Sequence, residues 1–253
     1  MLYNTTIYNI TCISNSSSFC ILQGTQMVLW IFDSTITDIV SNADLLVLNS
    51  PGVSTKINGL EVNGVSTALT NSTTKDPLKQ LFALRLYSAE QVIIVSNSVF
   101  ESFANFSSIM VEKSASFKLS GSNFSNQNFL GQDVELPINY SSNKSINISS
   151  EAQLFSQFLV LTTSNATITN CSFSYNPGVP LLNGGAIQIL GDSPMTGNYT
   201  ILNSTFTGNQ GYQGGAISVQ GPSNSLTINS SNFTSNVAET NGGSIYFANS
   251  SKS

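Results

Sequence analysis

The sequence predicts an all-β chain folded as a parallel β-helix, a solenoid of about seven or eight coils making one domain over residues 1–253. Three observations predict it. A phenylalanine, an asparagine three residues later and a glycine pair recur at Phe173–Asn176–Gly184-Gly185, Phe206–Asn209–Gly214-Gly215 and Phe233–Asn236–Gly242-Gly243, with a period of about 27–33 residues. Apolar and polar residues alternate ahead of each phenylalanine, the period of a strand with one buried face. Turns rich in Asn, Gly, Ser and Pro separate these runs, and each run is too short to bury its face alone, so coils must stack.

The elements follow from aligning the chain on its anchors. Two residues before the anchor stands a small residue: Ser34 before Ile36, Ser98 before Phe100, Ser122 before Phe124, Cys171 before Phe173, Ser204 before Phe206 and Ser231 before Phe233. Seven and five residues before it lie apolar pairs, Leu29/Ile31, Ile93/Val95, Phe117/Leu119, Ala166/Ile168, Tyr199/Ile201 and Leu226/Ile228. A second alternating run, about 15–20 residues ahead, adds another strand to each coil: Leu46/Leu48, Leu84/Leu86, Ile109/Val111, Leu159/Leu161, Ile187/Ile189 and Ile217/Val219. Leu60, Val62 and Val65 fit this scheme only loosely. Asparagine at a fixed turn position suits a ladder of amides. Gly-Gly suits a turn or close approach that a β-carbon would obstruct. Loop insertions are expected near 66–80 and 127–156, and the repeats are clearest over 159–253. A β-sandwich also shows short, regularly spaced strands, but it does not need the same residue at each turn.

The Phe-x-x-Asn and Gly-Gly-Ala-Ile pairing at 173–187 and 206–217, with Ser244 replacing Ala at 233–245, resembles the repeat of chlamydial polymorphic outer-membrane proteins and of other pectate-lyase-like surface proteins. Upstream the match is partial, because Phe124 is followed by Gln127 and no glycine pair. The resemblance implies a right-handed β-helix in an extracellular, passenger-like protein of adhesive or structural role.

Composition narrows the function. Only 8% of residues are charged, with 8 Lys+Arg against 13 Asp+Glu, no histidine and one arginine, which lacks the cationic footprint a nucleic-acid binder needs. Sixteen Asn-x-Ser/Thr sequons occur, at Asn4, Asn9, Asn15, Asn71, Asn105, Asn123, Asn139, Asn143, Asn147, Asn165, Asn170, Asn198, Asn203, Asn229, Asn232 and Asn249. A chain this rich in Asn, Ser and Thr makes some sequons by composition alone. Their recurrence near one point of the coil, as at Asn170 and Asn203, points instead to covalent N-glycans on a secreted eukaryotic protein at the cell surface or outside it. Cys12 and Cys20 are close enough in sequence to form a disulfide that closes a short loop, in keeping with an oxidising compartment. Cys171 reads as a buried free thiol in the small-residue column. No apolar run approaches the length of a membrane-spanning helix; the longest, MVLWIF at 27–32, reads as a strand.

Many β-helices process polysaccharides with clustered carboxylates. Here the acids are scattered: Asp33 and Asp38 flank Ile36, Asp133 and Glu135 fall in the second insertion, and no metal or other cofactor site is expected. Arg85, between Leu84 and Leu86, should point outward and pair with a neighbour's acid. The function expected is therefore a non-enzymatic, extracellular, glycosylated structural subunit. Met1 opens no signal peptide, and Gly242-Gly243 opens a coil that stops at Ser253, so a homo-oligomer or filament through the coil ends is expected. Two alternatives stand beside it. One is an adhesin displaying aromatics such as Trp30, Phe103, Phe106, Phe129 and Tyr140. The other is a degenerate polysaccharide-processing enzyme.

Overall fold

The computed structural model describes residues 2–12, 20–23, 28–41, 43–49, 54–66, 81–87, 92–103, 106–126, 158–162, 165–176, 183–190, 197–221 and 224–248. Apart from Ser66 and Asn126 at their margins, the insertions expected near 66–80 and 127–156 lie outside these residues. Among the described residues the regular structure is all β-strand, and every strand pairing is parallel. A β-sandwich, built from antiparallel sheets, is excluded.

Each strand pairs with its counterpart one coil on, so the chain climbs as stacked layers. A typical coil runs through Val92–Ser96, Val99–Glu101 and Ser107–Glu112, and the next through Ser116–Ser120, Asn123–Ser125 and Leu159–Thr162. Lower down, the first two strands merge into Val28–Ser41 and Ser54–Ser66. The sheet forks at Ser54–Ser66, which pairs with Val92–Ser96 through its first half and with Val99–Glu101 through its second. The third strands form their own eight-stranded sheet from Cys20–Gln23 to Ile245–Ala248. Two short strands, Gln210–Gln213 and Val237–Asn241, pair beside it.

Inward residues stack on like residues. Ile31, Ile57, Val95, Leu119, Ile168, Ile201 and Ile228 form one column, and Leu48, Leu86, Val111, Leu161, Ile189 and Val219 another. The anchors make the third. Phe100, Phe124, Phe173, Phe206 and Phe233 lie face to face, with centroids 5.0, 4.9, 4.9 and 4.7 Å apart and planes within 9° of parallel. That separation matches the strand spacing of about 4.8 Å, so the main chain holds each ring at stacking distance. Val62 fills the anchor position between Ile36 and Phe100 and is fully buried, as is Val65. The loosely fitting segment is thus a full coil.

The corners need left-handed backbone. Asn4, Asp33, Gly59, Asn97, Gly121, Asn170, Asn203 and Ser230 occupy the first corner, all with φ between 45° and 68°, and they count eight coils among the described residues. A second corner holds Asp38, Gly64, Ser102, Asn126, Tyr175, Gly208 and Ser235, again all at positive φ. Gly, Asn and Asp adopt this region at least cost, which explains why the turns use them. Asp33 and Asp38, which flank Ile36, are corner residues at φ 45° and 55°.

Behind the first corner runs a hydroxyl ladder. Ser98 Oγ donates to Ser96 O (2.8 Å) and accepts the Leu60 N–H (3.2 Å), and Ser204 Oγ donates to Leu202 O (2.8 Å) and accepts the Cys171 N–H (3.2 Å). Each hydroxyl satisfies one buried donor and one buried acceptor that the bend takes out of the sheet, which is why the column is serine. The motif asparagines do the same at the next turn. Asn236 Nδ2 donates to Phe206 O (2.9 Å), and its Oδ1 accepts both the N–H and the Nδ2 of Asn209 at 3.0 Å. Asn209 Nδ2 in turn donates to Phe173 O (3.0 Å). In the glycine motif, the N–H groups of Ala186 and Ile187 both donate to Ala216 O, and those of Ala216 and Ile217 both donate to Ser244 O, each at 2.9 Å. Two residues facing one is the pattern of a bulge, and it re-aims the chain into the third strand.

Candidate functional site

The interior is filled, so functional chemistry belongs to the exterior. Strand alternation builds that exterior directly. In Asn165-Ala166-Thr167, Asn198-Tyr199-Thr200 and Asn232-Phe233-Thr234 the middle residue faces the core while Asn and Thr face away from it, and in Asn123-Phe124-Ser125 the Asn is exposed although Ser125 is buried. A strand whose outward positions are filled with Asn, Ser and Thr therefore spells sequons through its period of two. Their number alone decides nothing; their placement does.

Eight sequon asparagines have described side chains: Asn4, Asn123, Asn165, Asn170, Asn198, Asn203, Asn229 and Asn232, and all eight are exposed. The buried asparagines, Asn176, Asn183, Asn209 and Asn224, all lie outside sequons. Asn165 is in register with Asn198, while Asn4, Asn170 and Asn203 share the first corner. All eight lie on the first two sheets and the corner between them. Among the described residues the third sheet carries none. Asn9 lies in the strand Thr6–Cys12 with its side chain outside the described set, and Asn15, Asn71, Asn105, Asn139, Asn143, Asn147 and Asn249 also fall outside it. The disulfide expected between Cys12 and Cys20 concerns side chains that likewise lie outside the described residues.

Arg85 points outward on the third sheet and pairs with acids of both adjoining coils, as its position on the strand requires. Its Nε lies 2.8 Å from Asp44 Oδ2 and its Nη1 2.7 Å from Glu112 Oε1. Asp44 Oδ1 also accepts the Phe82 N–H at 2.8 Å, and the guanidinium sits 5.0 Å from the Phe82 ring centroid. The triad is thus a clamp across three layers. Among the described residues no group of three or more His, Cys, Asp or Glu could hold a metal ion.

Cys171 replaces serine in the hydroxyl ladder, its thiol donating to Thr169 O at 3.3 Å. Burial pushes its pKa from 9.0 to about 11, against the backbone N–H bonds that favour the thiolate. A thiol kept neutral in the fold loses its stabilising effect as pH rises from about 9 to about 11, because the unfolded chain releases the proton first. Native protein is therefore expected to resist alkylation at pH 8 and react once unfolded. Cys171→Ser should leave stability within about 0.5 kcal/mol of wild type, because serine fills this rung elsewhere. Thiol titration with and without denaturant, and melts of the variant, check both.

Phe103 and Phe106 are fully buried core, and Phe129 and Tyr140 lie outside the described residues. Of the three that are described, Trp30 faces out, 45% exposed. Tyr3, which the sequence reading did not single out, joins it on the same sheet at 64% exposed. The unbroken apolar run around Trp30 hid its outward direction.

The fold and its exterior define a solenoid of in-register coils with a polar, asparagine-rich outer surface. The family model for the right-handed β-helix region matches residues 58–253, and the chain belongs to that family. No curated protein and no solved structure matches the chain. Among the described residues no helix is long and apolar enough to cross a membrane.

Proposed function

We propose that this chain is a non-enzymatic, extracellular, N-glycosylated structural rod, a β-helical subunit of a surface or fibrous assembly joined by stacking or strand exchange between coil ends. The observation that carries it is the sorting of asparagines: the eight sequon side chains described are exposed, and the four buried asparagines described are outside sequons. The likeness of Phe173–Ile187 and its copies to the polymorphic outer-membrane repeat supports a passenger-like place outside the cell. The acids support a non-enzymatic role, because Asp33 and Asp38 shape corners while Asp44 and Glu112 are engaged by Arg85. In the last described coil Leu226, Ile228, Phe233 and Ile245 are only half-buried and Val237 and Phe247 are exposed.

The test is expression through a eukaryotic secretory pathway, mass mapping of every sequon, and electron microscopy of the purified protein. Modified asparagines and fibres with an axial repeat near 38 Å, from eight coils at about 4.8 Å each, are expected. Unmodified sequons would overturn the glycoprotein reading. Isolated short rods would overturn the assembly reading and move the weight to an adhesive module displaying its exposed aromatics.

A further inference from the structure

One patch of the exterior departs from the polar pattern. Tyr3 and Phe32 are directly in register on the outer face of the first sheet, and Trp30 lies two residues before Phe32 on the same face. The Trp30 and Phe32 rings meet edge to face, with centroids 6.3 Å apart, and Lys56 Nζ lies 5.8 Å from the Phe32 centroid. In coils five to seven of this sheet the outward positions in register with Trp30 are Lys118, Thr167 and Thr200, and those in register with Phe32 are Ser120, Thr169 and Leu202. Earlier and later in the same two rows stand Lys56, Ile94, Thr227, Asn58, Ser96 and Asn229, so the aromatics cluster at one end of a face whose other described positions in these rows carry no ring. Exposed rings of this kind mark a surface that something covers.

The same end carries a sequon. Asn4 directly follows Tyr3, is exposed, and takes the corner at φ 47°. Its N–H is bonded to Phe32 O at 3.1 Å, and Thr5 Oγ1 donates to Tyr3 O at 3.1 Å, so the corner is fixed against the patch. We infer that the N-glycan on Asn4 folds back onto Tyr3, Phe32 and Trp30, its first two N-acetylglucosamine rings laying their C–H faces on the aromatic rings. This rests on the glycoprotein reading above and names a sequon at which the glycan becomes part of the fold. Attachment forms the bond from Asn4 Nδ2 to sugar C1, breaks the C1–oxygen bond to the pyrophosphate of a lipid-linked donor, and releases one amide proton. Tethering then makes the contact intramolecular, so weak ring–sugar packing suffices. A corner held by main-chain bonds directs the sugar with little further ordering.

Trp30 is the only tryptophan, so its fluorescence reports on this patch alone. The secreted glycoprotein is compared with the same protein after enzymatic glycan removal in the folded state, with Thr6→Ala, which destroys the sequon but keeps Asn4, and with Asn203→Gln, which removes a glycan from a coil far along the rod. Covering one face of a ring now 45% exposed should make the acrylamide quenching slope roughly two-fold shallower, with emission shifted to the blue. Glycan removal and Thr6→Ala are expected to reverse both changes, and Asn203→Gln neither. An occupied Asn4 whose removal leaves quenching unchanged overturns the inference. So does an unmodified Asn4 on a protein whose other sequons carry glycans, a result that leaves the proposed function standing. If no sequon is modified, both readings fall together. Enzymatic removal from folded protein keeps the test decisive if Thr6→Ala does not fold.

Discussion

Phe206→Ala is expected to lower the unfolding free energy by about 3–5 kcal/mol, the range for truncating a fully buried aromatic. Phe206 stacks on Phe173 at 4.9 Å and on Phe233 at 4.7 Å, so truncation removes two ring contacts at once. The hole cannot close, because the main-chain bonds of Thr205–Thr207 hold the layers apart. A cavity that does not relax sits at the costly end of the range. Phe233→Ala should cost less, since that ring is half-buried and has a described stacking partner on one face only. Contacts in a solenoid are between neighbouring layers, so Phe206→Ala should also split unfolding into two steps, the last coils melting first. Urea melts followed by circular dichroism would show this. A loss under about 1 kcal/mol would mean that the stack is not a principal source of stability.

Gly215→Ala is expected to be at least as damaging, for a different reason. A β-carbon there would fall onto the carbonyl oxygens of Gly243 and Val237, which are backbone and cannot swing aside. Gly185 meets the same obstacle at Gly215 O and Gln210 O. Relief would require moving two strands, a cost of about 3 kcal/mol or more, with loss of the final coils. Gly243 provides the control, because a β-carbon built there has nothing within 4 Å. In the unassembled chain Gly243→Ala should change stability by no more than about 0.5 kcal/mol, whereas a further layer stacked on this coil would make it as costly as Gly215→Ala. Soluble yield and melts of the two variants decide it. Equal losses at 215 and 243 in monomeric protein would show that these glycines serve something other than close approach.

How much of this was legible in the chain differs by position. Inward columns were readable because a solenoid asks the same question at every layer, and Phe, Ile, Leu and Ser answered it alike. Corners were not. Asn4, Asp33, Gly59 and Ser230 share a tolerance for positive φ and no other property that an alignment can register. The coil at Leu60 and Val62 went half-seen for that reason, with glycines at both corners and valine for phenylalanine. Arg85 was legible as outward and paired. Its partners were not, since Asp44 lies 41 residues before it and Glu112 27 after. The sequons and the motif asparagines were both visible from the start, but the exposure of the one set and the burial of Asn176 and Asn209 are read from the structure.

The hydroxyl ladder carries a wider consequence. One and the same bond, serine side chain to the N–H of the layer beneath, spans 24 residues at Ser98, 27 at Ser204, 33 at Cys171 and 38 at Leu60. Height and chain length are therefore decoupled. Closing a longer loop adds little entropy cost, so a corner can take in new sequence while every rung stays where it was. For a lineage under pressure to alter what it displays, such a scaffold separates novelty from foldability. A layer can therefore lengthen at its rim while the columns that hold the rod upright keep their spacing.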